Sequence, residues 1–256
     1  MGQDTEKEIQ QFKNRLRELA ERSYTQGVFT FTGFLGLSEQ DIFWRELERL
    51  KYAGYSISGG FPTAERVMVR FGSREELGYE TPFPIVCVHI RPLGPKFAEE
   101  LSHRDFLGAL MNLGIERSTI GDIKVGENFA CLFCVEPVVK FICDNLIQVK
   151  HTPVKCTVTE DTAEIPEEAP ELSSVQVQSL RVDAVLAKVY AMSREKSQEL
   201  FRSGKVYVDG RLCQNHSRQL KSGETVNARG FGKFVLQGEP RETRKGKLSV
   251  EVAVYR

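Results

Sequence analysis

The stretch SREKSQELFRSGKVYVDGR, Ser193 to Arg211, decides how the C-terminal third is read. Ser193 stands before a charged run, and serine is a favoured helix N-cap because its hydroxyl accepts a first-turn N–H. Leu200 and Phe201 are the apolar anchors of that run, and Gly204 follows it. A left-handed residue often ends a helix, and glycine takes that conformation without a Cβ penalty. Lys205-Val206-Tyr207-Val208 then alternates as a strand does, and Asp209-Gly210 is a hairpin-turn pair. The helix either belongs to an ordinary charged surface or presents a basic face to a polyanion.

Working outward, Val182, Val185, Leu186 and Val189 form the stripe of a preceding helix, and ETVNARG (Glu224–Gly230) reads as a further short strand. The charge then favours the polyanion. Residues 181–256 hold 16 Lys plus Arg against 8 Asp plus Glu, while the other 180 residues hold 19 against 27. A net charge of zero therefore hides a basic third on an acidic body. Arg181, Arg194 and Lys196 would share one surface of the helix pair, beside the N–H groups and positive dipole of the second helix. Basic residues near glycines continue in Lys205, in ARGFGKF (Arg229, Lys233) and in PRETRKGK (Arg241, Arg244, Lys245, Lys247). Together with Ser193 these are the candidate contacts for that polyanion. Asp183 is expected to orient Arg181 or to cap locally.

These residues resemble the alpha-L RNA-binding motif, the ribosomal protein S-four-type domain. The match runs through Arg181-x-Asp183-x-x-Leu186, Ser193-Arg194, Leu200, Gly204-x-Val206-x-Val208-Asp209-Gly210 and the Gly223-Glu224 turn. Ser197 stands where members commonly place alanine, and Gln198 where a basic residue is frequent.

The body has its own rhythm. Ile9, Phe12, Leu16 and Leu19 mark one helix. Ile42, Phe43, Leu47 and Leu50 mark a second, with a capping box at Ser38–Asp41, and RVMVRF reads as a strand. From FPIVCVHIRP to KCTVTE the order is β-α-β-β-α-β, the ferredoxin-like pattern shared by many RNA-recognition modules. Ser102–Asp105 is the capping box of its first helix. Its strands offer Cys87, His89, Phe129, Cys131 and Phe133. Phe129, Cys131 and Phe133 alternate on one face, read as the face packed under the helices. TEDTAEIPEEAPELSS (Thr159–Ser174) reads as an acidic linker. The expected class is α+β: an N-terminal α+β unit over 1–80, the ferredoxin-like domain over 81–160, a linker over 161–178 and the alpha-L domain over 179–256.

GGFPTAER, FAEELSHRDFLGALMNLGIERSTIGDI and ARGFGKF, followed by a basic hairpin, together resemble the YlmH family of bacterial RNA-binding proteins. That resemblance implies binding to ribosomal RNA or tRNA on the large ribosomal subunit, a role in quality control of obstructed subunits, and a suggested link to cell division.

Other chemistries find little footing. Cys131 and Cys134 of CLFC fall on a strand, where residues three apart point to opposite faces, so no metal site is expected there. No GxxxxGK[ST] or dinucleotide loop is present, so no cofactor or small-molecule substrate is expected. His103, Arg104 and Asp105, with Arg117 and Asp122, could suggest acid–base work, but read better as a helix cap and a turn. Glu65-Arg66 reads as an ion pair holding the N-terminal unit. No apolar run of membrane-spanning length occurs and the N-terminus lacks a signal peptide, so the expected compartment is the cytoplasm. The expectation is a non-catalytic RNA-binding protein, with an RNA-modifying enzyme or a cell-division adaptor as alternatives.

Overall fold

A computed structural model describes residues 2–94, 99–159, 165–166, 170–244 and 246–255, with side chains from Glu6 onward. The chain divides into two compact units, Met1–Pro166 and Glu167–Arg256.

The first unit opens with helix α1 (Gly2–Gln26), strand β1 (Thr30–Phe31), helix α2 (Leu37–Leu50), strands β2 (Tyr55–Ser58) and β3 (Met68–Phe71), and a short helix α3 (Arg74–Leu77). The strands pair antiparallel in the order β1-β3-β2. Leu16, Leu19 and Ala20 of α1 pack with Phe43 and Leu50 of α2 and with Val69 and Phe71. The α2 cap differs from the expected Ser38–Asp41 box. Leu35 bridges Val67, and the chain turns into the helix two residues earlier, where the Gly36 N–H donates to Glu39 at 2.7 Å. Asp41 instead pairs with Arg45 at 2.8 Å.

The unit continues with β4 (Ile85–Pro92), α4 (His103–Asn112), β5 (Ile120–Gly126), β6 (Phe129–Val135), α5 (Glu136–Asn145), β7 (Gln148–Val149) and β8 (Thr152–Thr159). The antiparallel sheet runs β5-β6-β4-β8-β7, the ferredoxin-like order with one short edge strand added. Asn128, at φ 62°, makes the β5–β6 turn. The Ser102–Asp105 cap forms as expected, with the Ser102 N–H donating to Asp105 at 2.8 Å.

The sheet faces are the reverse of the expectation. Helices α4 and α5 cover Val88, Ile90, Ala130, Leu132 and Cys134. Cys131 and Phe133 lie on the opposite face with Cys87, packed with Phe34 and Met68 and flanked by Phe31, Phe61, Phe83 and Phe129. Strand alternation fixes which residues share a face; it does not fix which layer covers that face. The quoted GGFPTAER segment supplies much of the cover. A Cβ on Gly60 (φ +94°) would stand 2.6 Å from the Phe133 ring, so glycine is required for this approach. Arg66 is no simple ion-pair partner of Glu65. Its guanidinium donates to the carbonyls of Ile120, Phe34 and Arg117 at 2.9, 2.8 and 3.0 Å, tying this layer to β5.

The second unit comprises β9 (Glu171–Val177), α6 (Val182–Val189), α7 (Arg194–Arg202), β10 (Val206–Val208), β11 (Arg211–Leu212), β12 (Thr225–Ala228), β13 (Gly232–Glu242) and β14 (Leu248–Tyr255). Its sheet order is β11-β10-β12-β13-β14-β9. Both helices bury their stripes on one sheet face, Val185, Leu186, Leu200 and Phe201 meeting Val206, Val226, Phe234 and Val252. The linker expected over 161–178 is shorter, because Glu171–Val177 pairs along β14 and completes this sheet. Only the long-range partner reveals that strand: Leu172 stands exposed on its open face and Ser173 shares the covered face with Val175 and Val177, so ELSSVQV lacks a clean apolar alternation.

Candidate nucleic-acid interface

The C-terminal site starts from two helix ends. The α6 N-terminus is closed by a loop: Val182 and Asp183 donate their N–H groups to the carbonyls of Arg218 and His216 at 2.9 and 3.2 Å. Asp183 is fully buried. Arg181 grips its carboxylate with Nε at 3.1 Å and Nη2 at 2.9 Å, and Arg194 Nε approaches to 3.9 Å. Arg181 also donates to His216 Nδ1 at 3.1 Å, which makes that nitrogen an acceptor. Burial pushes the Asp183 carboxyl up, but the Arg181 hydrogen bonds and the charges of Arg181 and Arg194 outweigh it, and its pKa lies below the usual carboxylate range. Asp183 thus holds two arginines in place.

Helix α7 is tied to the same spot. The buried Ser197 hydroxyl donates to the Asp183 carbonyl at 2.9 Å, so the departure from alanine adds a bond between the helices. Ser193 caps α7 by accepting from the Lys196 N–H at 3.2 Å, and Gly204 (φ +63°) stops it.

Beside α6 runs a groove of about 690 Å³. Ala184, Ala187 and Ala191 give it a small-residue floor, Gln176 to Ser179 a wall, and Arg181, Lys188, Arg194 and Lys247 a cationic rim. The structure therefore collects three of the expected contacts, Arg181, Arg194 and Lys247. Lys196 lies elsewhere, its ammonium 5.5 Å from the Phe231 ring centre. Arg229 sits over Tyr207 at 5.7 Å and donates its N–H to the Lys205 carbonyl. Arg241 and Arg244 are exposed on the β13–β14 hairpin. Lys245 lies outside the described residues. Lys233 is a correction: it is only 8% exposed with its ammonium 5.1 Å from the Tyr255 ring, so it is no surface phosphate contact.

Lys188 and His216 were missed. Arg181, Ala184 and Lys188 share a helix face at i, i+3 and i+7, a spacing that could have revealed Lys188. His216 reaches Arg181 through a loop whose position only the fold defines.

The polar cluster of the first unit is structurally engaged. Asp105 accepts from Ser102 and pairs with Lys150 at 2.9 Å, which brings its pKa down to about 2. Asp122, expected in a turn, lies in β5 and accepts from the N–H groups of Glu65 and Arg66 at 2.7 and 3.2 Å; burial raises its pKa. Partial burial, and then the charge of Arg117, pushes His103 down. No helix among the described residues is long and apolar enough to cross a membrane.

Comparison with known proteins is consistent with this geometry. A family model described as a putative RNA-binding domain in YlmH matches residues 80–163, and an S4 domain model matches residues 180–226. The chain is 31% identical over 198 residues to the ribosome-associated protein quality control protein P2 of Bacillus subtilis (strain 168), covering 77% of this chain and 76% of that protein. A solved structure, the cell division protein ylmH from Streptococcus pneumoniae, is 24% identical with a TM-score of 0.49, covering 62% of this chain and 95% of the other.

Proposed function

The chain belongs to the YlmH family, and from that premise we propose that it is a non-catalytic RNA-binding protein acting on the ribosome. The groove beside α6 carries the reading. Four cations rim a floor of alanines, so a sugar–phosphate backbone can lie close to the helix while its charge is neutralised. The Asp183 network orients two of those cations before RNA arrives. The first two amides of α7, at Arg194 and Glu195, which the Ser193 cap does not take up, offer a further phosphate seat. Lys196, Lys205 and Arg229, then Arg241, Arg244 and Lys247 along the hairpin, extend the contact. Backbone contacts of this kind suit structured RNA read by shape.

The Bacillus subtilis relative is named for ribosome-associated quality control. We extend that role to this chain, with ribosomal RNA or tRNA on the large subunit as the contact and the cytoplasm as the place. The central sheet contributes no open stacking platform at Phe133, because that ring packs against Phe61 at 4.7 Å between centres. The polar groups around His103 are committed to caps and to the Arg66–β5 tie, which favours binding without chemistry.

The test is cosedimentation with ribosomal particles as salt is raised. An Arg194→Glu/Lys196→Glu double variant is expected to lose the association, and normal association by it would refute the site. A nucleotide modification appearing in ribosomal RNA incubated with the protein would refute the non-catalytic reading.

A further inference from the structure

Independently of RNA binding, we infer that Cys87, His89 and Cys131 form a binding site for a thiolate-seeking metal ion of the zinc class. The CLFC spacing points away from such a site, since Cys134 lies under the helices. Cys131 finds its partners across the sheet instead. In the antiparallel β4–β6 pairing it stands directly opposite His89, and Cys87, paired with Phe133, is its diagonal neighbour on the same face. The two sulfurs and an imidazole nitrogen all lie within 4.8 Å of one another, and the three residues are buried, at 8%, 3% and 0% exposed.

The donor set and its surroundings suit the ion. Two thiolates with one neutral imidazole are a known zinc ligand set, in which the fourth position is left to an exogenous ligand. Two thiolates also cancel a divalent charge, which matters here because the Phe34, Met68 and Phe133 cluster covers the site and an uncompensated ion would be costly. The ligands sit on paired strands, which fix their spacing before any metal arrives. One contact opposes binding: Arg91 lies 3.2 Å from His89 Nδ1 and can only donate, so that nitrogen accepts from it. Metal ligation needs either this lone pair or a proton shifted onto Nδ1. Both break the contact, so the exposed Arg91 must swing out and acts as a brake on affinity.

The experiment titrates the reduced full-length protein with Zn²⁺ against a chromophoric chelator, and with Co²⁺ as a spectroscopic probe. One equivalent of tightly bound metal is expected, with thiolate-to-cobalt charge-transfer bands and a rise in Tm with zinc. Cys131→Ser and Cys87→Ser should each weaken binding by more than the roughly 10–100-fold that loss of an outer partner costs. Cys143→Ser should leave it unchanged, and Arg91→Ala should tighten it. The wild-type cobalt spectrum does not depend on any variant folding. Absence of thiolate bands, binding unchanged in both cysteine variants, or a Cys87–Cys131 disulfide in the protein as isolated would overturn the assignment.

Discussion

Replacing Asp183 by alanine separates the two tasks of the C-terminal helix pair. Its carboxylate is fully buried and receives two hydrogen bonds from Arg181, whose side chain is 27% exposed, while Arg194 is 66% exposed. Removing one partner of a fully buried pair costs about 3–5 kcal/mol because the other charge is stranded. Here both arginines can rehydrate, so the loss should fall lower, at about 1.5–3 kcal/mol, the range of hydrogen bonds to charged groups. Most of that loss should appear in residues 167–256. Trp44, the single tryptophan, lies in the first unit, so its fluorescence reports urea unfolding there and should be unchanged. Hydrogen exchange of β10, β12 and β13 amides should show the lost protection. RNA affinity should fall about tenfold as Arg181 and Arg194 lose their orientation, a cost of about 1.4 kcal/mol. Arg194→Ala should lose affinity while leaving exchange within about 0.5 kcal/mol of wild type. Unchanged protection in the Asp183 variant would refute the claim that this carboxylate organises the site.

Three further outcomes are expected. Gly60→Ala places a Cβ against the Phe133 ring at a positive φ and should destabilise the first unit by about 2–4 kcal/mol, read by Trp44 fluorescence in urea. Lys188→Ala should weaken RNA binding and reduce the slope of log K against log salt by about 1, measured by filter binding. The Asp105 pKa is lowered to about 2 from 3.8, so its stabilising contribution is present above about pH 4 and is lost as the pH falls through 2. Exchange protection of α4 should decline over that window, and Asp105→Ala should flatten the decline.

Much of the local structure was legible in the sequence. The Ser193 cap, the Gly204 stop, the Ser102–Asp105 box and the strand order of the central domain follow from side-chain chemistry within a few residues and from hydrophobic period. The alpha-L spacing pointed to Arg181 and Arg194, and the basic run PRETRKGK beyond it to Lys247, all three of which line the groove beside α6. The failures share one cause. Lys233 is buried, β9 is a strand inside an expected linker, and α2 is capped at Gly36 because partners distant in sequence act on them.

The sequence by itself determined the amphipathic helices and the central strands, though not β9, and which side chains share a face, since these follow from backbone periodicity. Only the tertiary structure decided what covers each face. Alternation placed Phe129, Cys131 and Phe133 together but was silent on whether helices or the Gly60–Phe61 segment would lie over them. Strand pairing then brought Cys131 to Cys87 and His89, and loop packing brought His216 to Arg181. Contacts of that kind depend on chain closure over tens of residues, and no local spacing encodes them.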